Sequence, residues 1–121
     1  MNCGRAVLLR GLLSVVALAP VMGAPPPMVY ADRANVVTFA PVSVRYVRLQ
    51  FAATNTGEQP CIDELEIRGP ESAANLAREP KAVARASSLL PGYAAHAVSH
   101  LNDGLYGNGA SWIPAGVVGE W

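Results

Sequence analysis

Two short stretches in the middle of the chain alternate between apolar and polar residues. In VSVRYVRLQF, the alternation starts at Val44 and continues to Phe51, and in CIDELEIRG the apolar positions are Ile62, Leu65 and Ile67. Alternation with period two places one side of an extended chain in a core and the other in water, and β-branched and aromatic residues favour that conformation. A helix over CIDELEIRG is compatible with its Glu and Leu content, but nine residues between two turn signals fit a strand better.

The rest of the pattern predicts a small all-β domain. We expect a third strand over Ala82 to Ser88, a helical turn over Ala94 to Leu101, and a further strand beginning in the closing GVVGEW. Several short strands with turns between them and no long amphipathic helix indicate an antiparallel β-sandwich or barrel. A sandwich of this length has room for a small core only, so the sequence reads as a partial one that stops early.

The N-terminus has the layout of a secretory signal peptide. Arg5 and Arg10 lie before an apolar run, 11–19, which is followed by Pro20 and small residues, so we assign 1–23 to the leader. The run is shorter than the roughly 20 apolar residues that span a bilayer, although an uncleaved N-terminal membrane helix is an alternative. We therefore expect a secreted or periplasmic protein, with a proline-rich linker over 24–40.

Composition and motifs exclude several classes of function. The formal net charge is zero, so the chain has no basic surplus to attract nucleic acid, and we expect no nucleic-acid partner. Phosphate loops, nucleophile elbows and cofactor fingerprints are absent from the sequence, so we do not expect an enzyme. Cys61 is the one cysteine left after removal of the leader; a nucleophilic role beside His96 or His100 is an alternative, but a buried structural thiol is expected.

Two segments together resemble a discoidin domain, also called the coagulation factor 5/8 type C domain, of the galactose-binding-like superfamily. The N-terminal part of that family is similar to three stretches within 75–121, which are NLA, ARASSLLPGYAAHAVSHLNDGLYGNGASWI and GEW. The last two strands of the family are similar to one stretch within 41–70, VRYVRLQFAATNTGEQPCIDELEIRG. The resemblance implies a jelly-roll sandwich over 41–121. Its two ends occur in reversed order, so the chain is either permuted or joins the tail of one copy to the head of another.

The family resemblance also implies a structural calcium ion where the loop after His100 meets the last strand. Asp103 and Glu64 would supply carboxylate oxygens, and Asn108 or Ser111 a neutral side-chain oxygen. Backbone carbonyls near His100, Leu105 and Asp63 would complete the shell. Calcium takes about six to eight oxygens, and glycines let a loop turn its carbonyls inward, but NDG and GNG are also ordinary turn sequences.

The function implied by the resemblance is noncatalytic binding of carbohydrate or a cell-surface glycan. Tyr93 and Tyr106 lie in loops and are the candidate ligand contacts, whereas Trp112 is expected in the core. His96 and His100 have the spacing of one helical face, but without a third zinc ligand they are expected to be solvated. A second possibility is a spacer or docking piece at the start of a larger exported enzyme, joined to its other domains beyond Trp121.

Overall fold

The computed structural model describes residues 7–10, 28–54, 56–70 and 72–121. Five short elements are assigned among them: strands β1 (Val7–Arg10), β2 (Asn35–Thr38) and β3 (Leu65–Arg68), and 3-10 helices η1 (Leu76–Arg78) and η2 (Val98–Asn102). The described chain is therefore low in helix, in keeping with the expected all-β class, and most of it has neither helix nor strand.

The three strands form one sheet in the order β2-β1-β3, and both pairs run parallel. Val7 lies opposite Asn35 on one side and Leu65 on the other. This differs from the antiparallel pairing expected from the sequence. β1 also falls inside the predicted leader; the rest of the range 1–23 lies outside the described residues, so the leader stays a prediction.

One antiparallel contact does occur, as an isolated bridge outside the strands. Ile62 and Trp112 exchange two backbone hydrogen bonds of 3.0 and 2.8 Å. Phe51 donates its N–H to the Glu120 carbonyl and accepts from the Gly119 N–H, at 2.9 and 2.8 Å. These bonds join the middle of the chain to its C-terminal segment, where the sequence predicted further strands.

The core lies at these junctions. One buried cluster contains Phe51, Ile62, Leu101 and Trp112, and the ring centroids of Phe51 and Trp112 are 6.3 Å apart. Burying an apolar side chain of this size stabilises the fold by about 1.5–3 kcal/mol. The Trp112 indole is 1% exposed and donates to the Ser88 carbonyl at 3.0 Å, so this tryptophan fills the core as expected.

The other predicted elements have mixed outcomes. β3 lies within CIDELEIRG, as predicted, and η2 overlaps the expected helical turn. Residues 44–51 form no strand. Exposed and half-buried residues alternate from 81 to 90, with Ala84 and Ala86 against the core, but no strand is assigned there. No helix in the described ranges is long and apolar enough to cross a membrane.

Cys61 corrects one expectation. It is half-buried and disulfide-bonded in the structure, so it is neither a buried free thiol nor a nucleophile there. No cysteine is free among the described residues, and the second cysteine of the sequence, Cys3, lies outside them.

Candidate functional site

Two buried acidic residues lie directly before β3. Asp63 is 3% exposed and Glu64 is 1% exposed. Their backbone is held on both sides, because Ile62 is paired with Trp112 and Leu65 begins the strand. Carboxylates at this depth need polar partners, because burying an unpaired charge is costly.

The partners come from the glycine-rich loop that follows η2. The Gly104 N–H donates to Glu64 Oε2 at 2.8 Å, and the Gly107 N–H donates to Asp63 Oδ2 at 3.0 Å. Both glycines have positive φ, 79° and 107°, a backbone region that residues with a Cβ rarely adopt. The loop therefore turns amide hydrogens toward both acids, whereas the family resemblance implies that its carbonyls face inward.

Asn75 is a third partner of this site, and sequence reasoning missed it. Its Nδ2 donates to Glu64 Oε1 at 3.2 Å, while its Oδ1 accepts from the backbone N–H groups of Ile67 and Ala77, both at 3.0 Å. Asn75 is thus the N-cap of η1 and orients Glu64 at the same time. The available signal was an asparagine directly before LAR, since asparagine is a favoured N-cap residue.

Asp103 has its own local partners. His100 Nδ1 lies 2.7 Å from Asp103 Oδ2, and the Leu105 N–H donates to Oδ1 at 2.8 Å. Burial acts to raise the pKa of Asp103, but the hydrogen bonds from His100 and Leu105 outweigh it and hold that pKa below its ordinary value. Asp103 is therefore an anionic residue at the entrance of the loop.

Glu64 is shifted in the opposite direction. Burial raises the pKa of its carboxyl, and the nearby charge of Asp103 adds to the increase. The hydrogen bond from Gly104 and the positive charge of Arg78 oppose it. The Arg78 guanidinium lies against Gly104, where an added Cβ would collide with it. The positive charge of this one arginine acts on both Glu64 and Asp103.

One carboxylate oxygen of the site has no hydrogen-bond partner among the residues that the structure describes. Asp63 Oδ1 is buried and makes no hydrogen bond to the described part of the chain. Buried polar atoms without a protein partner are rare in natural proteins, and many of them contact a bound water or ion. An unpaired carboxylate oxygen beside a second buried carboxylate is chemically suited to a cation.

The remaining predicted ligands differ in exposure. Leu105 is 58% exposed and Asn108 is exposed. Ser111 is fully buried, and its hydroxyl donates to the Asn108 carbonyl at 3.2 Å. Within the described ranges, no group of three or more histidine, cysteine, aspartate or glutamate side chains could hold a metal ion.

The two histidines do not form a zinc pair through their Nδ1 atoms. His96 Nδ1 lies 3.3 Å from the Ser111 carbonyl and 3.2 Å from its hydroxyl, while His100 Nδ1 faces Asp103. The two imidazole rings thus contact different residues, Ser111 for His96 and Asp103 for His100.

The candidate ligand-binding tyrosines have different surroundings. Tyr106 is 52% exposed and donates its hydroxyl to Glu66 Oε1 at 2.8 Å, a bond that raises its pKa to about 12. Tyr93 is 62% exposed, and its ring centroid is 6.1 Å from that of His96. Both rings are accessible, and only the Tyr106 hydroxyl is used within the described chain.

No family model matches this chain, and neither the curated proteins nor the solved structures contain a match.

Proposed function

We propose that this protein is a secreted, noncatalytic binding module of the discoidin type, built as a β-sandwich, with a structural calcium ion at Asp63, Glu64 and the loop 103–109. The proposal rests on the sequence resemblance, and one structural observation carries it furthest. Asp63 is 3% exposed and its Oδ1 has no partner in the described chain, while its other oxygen holds Gly107.

Calcium fits the chemistry of these groups better than softer metals do. It binds carboxylate, amide and carbonyl oxygens in variable geometry, whereas zinc prefers histidine and cysteine in a tetrahedral shell. Asp63 and Glu64 would supply the negative charge, and the Asn108 side chain a neutral oxygen. When bound, the ion would supply a positively charged partner for Asp63 Oδ1, and its protein ligands would hold the loop against β3.

The cation would serve structure, and ligand recognition would fall to the exposed aromatic rings. Tyr93 and Tyr106 present flat apolar faces beside polar groups, the combination that aromatic side chains offer to the rings of a sugar. Carbohydrate or cell-surface glycan is accordingly the proposed ligand class.

Calcium binding can be tested by calorimetric titration and thermal unfolding of the full chain with calcium and, separately, with magnesium. A ligand that binds only the folded state stabilises it by about 2.7 kcal/mol at a concentration one hundred times its Kd. We expect heat and a rise in Tm with calcium, and neither with Asp63→Asn. Asp32→Asn is the matched control, because Asp32 is exposed and pairs with its neighbour Arg33. Absence of both signals in the unmodified protein would contradict the calcium site.

Glycan binding needs a separate experiment. On a glycan array we expect the folded protein to bind, and Tyr93→Ala or Tyr106→Phe to identify the ring or hydroxyl involved. A folded, calcium-responsive protein that binds no glycan would favour the alternative role as a spacer or docking piece of a larger exported enzyme.

A further inference from the structure

Asn108 differs from the other described asparagines in its surroundings. It is exposed, and its side-chain amide makes no hydrogen bond to the described part of the chain. Asn75 and Asn102 have their amides tied, the latter to the Ala77 carbonyl at 2.6 Å, and Asn35 is buried with its amide bonded to Tyr30.

The residue after Asn108 is a glycine with open surroundings. An ideal Cβ on Gly109 would meet no atom within 4 Å, and no hydrogen bond of its backbone N–H to the described chain is found. Glycine has no side chain to block an approach to its own nitrogen and adopts a wide range of backbone angles. The nitrogen of Gly109 is therefore free to approach the side-chain carbonyl carbon of Asn108.

A buried hydroxyl acts on the same peptide group. Ser111 is fully buried and donates to the Asn108 backbone carbonyl at 3.2 Å. Hydrogen bonding to a peptide oxygen withdraws electron density from the nitrogen of that peptide, here Gly109, and favours loss of its proton. The amide that must act as nucleophile is thus both unhindered and polarised.

We propose that Asn108 is a site of spontaneous deamidation. The Gly109 nitrogen, after losing its proton, attacks Asn108 Cγ; the new C–N bond forms, the Cγ–Nδ2 bond breaks, and ammonia leaves with that proton. Water then opens the cyclic imide at one of its two carbonyls and gives aspartate or isoaspartate. No oxidant, reductant or enzyme is needed.

The product changes the charge of the loop beside the acidic pair. Gly107, the residue before Asn108, holds Asp63 through its N–H. Deamidation replaces a neutral oxygen donor by an anionic one at this loop, which a hard cation prefers. This consequence rests on the proposed calcium site, whereas the deamidation does not.

The test is prolonged incubation of the full chain in mildly alkaline buffer, followed by tryptic digestion and mass spectrometry that locates each deamidated residue. We expect conversion at Asn108 first, with Asn75 and Asn102 unchanged. Gly109→Ala should slow it by about tenfold, a rise of about 1.4 kcal/mol in the barrier, and Asn108→Gln should remove it. Absence of conversion at Asn108, or equally fast conversion at Asn102, would overturn the proposal.

A calcium titration of Asn108→Asp examines the consequence separately, with tighter binding expected than for the unmodified protein. Deamidation without any calcium binding would contradict the proposed function and leave the modification site standing. Calcium binding without deamidation would contradict the modification site and leave the proposed function standing.

Discussion

Glu64 and Gly104 are 40 positions apart in sequence and are joined by a hydrogen bond of 2.8 Å from the backbone N–H to Oε2. In the proposed discoidin arrangement, Glu64 would belong to the end of the domain and Gly104 to its beginning. The bond brings both segments together within one chain. The composition of the glycine-rich loop is typical of a turn, and this bond makes the loop part of an acidic site.

Glu64→Gln should change how stability depends on pH. The folded-state pKa of Glu64 lies above its ordinary value of 4.5, chiefly because the side chain is buried. The folded state therefore holds this proton more tightly than the unfolded state, and the contribution of Glu64 to stability falls as pH rises through and above 4.5. We expect the unfolding free energy of the unmodified protein, minus that of Glu64→Gln, to increase on acidification. Denaturant titrations at several pH values measure it, and a difference that decreases would contradict the shift.

Arg78→Ala should strengthen cation binding. The Arg78 charge lowers the pKa values of Glu64 and Asp103, so it acts as a built-in positive partner that competes with an added ion. Because Arg78 is exposed, its contribution is limited to about 1 kcal/mol, or about fivefold in Kd. Calcium calorimetry checks this prediction, with Arg85→Ala as the control because Arg85 is also exposed. Equal affinities for both variants would show that Arg78 has no such role.

Gly104→Ala and Gly92→Ala form a matched pair. Their φ angles are 79° and 80°, but a Cβ at Gly104 would meet the Arg78 guanidinium, whereas the one at Gly92 would meet no atom of the described residues within 4 Å. The left-handed conformation should cost each variant about 1–2 kcal/mol. The end of the exposed Arg78 side chain can move aside, so the collision should add little.

Thermal or denaturant unfolding of the two variants, with and without Arg78→Ala, separates these costs. Similar losses of unfolding free energy are expected. A loss at Gly104 that is several times larger, and that Arg78→Ala relieves, would instead identify a tightly packed contact.

Much of the candidate site could be predicted, because it depends on residue types and short motifs. The resemblance placed Glu64 beside the loop after His100, and the structure has them at hydrogen-bond distance. Their role as calcium ligands stays a prediction. The inward amide hydrogens of Gly104 and Gly107 could not be predicted, since glycine permits either orientation of the peptide group.

The fold was less accessible from the sequence. Alternation of apolar and polar residues reports which side of a chain is buried, and residues 81–90 show that alternation without a strand. Strand pairing depends on distant segments, so the parallel contacts of Val7–Arg10 with Asn35–Thr38 and Leu65–Arg68 left no local signal. The disulfide of Cys61 was missed because the predicted leader removes the other cysteine.

Glu120→Gln should have a pH dependence of the opposite sign to Glu64→Gln. Hydrogen bonds from the hydroxyls of Ser87 and Ser88, and one from the Gly116 N–H, lower the pKa of Glu120 below its ordinary 4.5. The stabilising contribution of Glu120 is then complete above pH 4.5 and is lost as the pH falls through the lower folded-state pKa. The stability difference between the unmodified protein and Glu120→Gln should therefore shrink on acidification, as denaturant titrations can measure. Ser88→Ala, which removes one donor, should reduce that pH dependence in part, and a difference that grows at low pH would contradict the proposed bonding of Glu120.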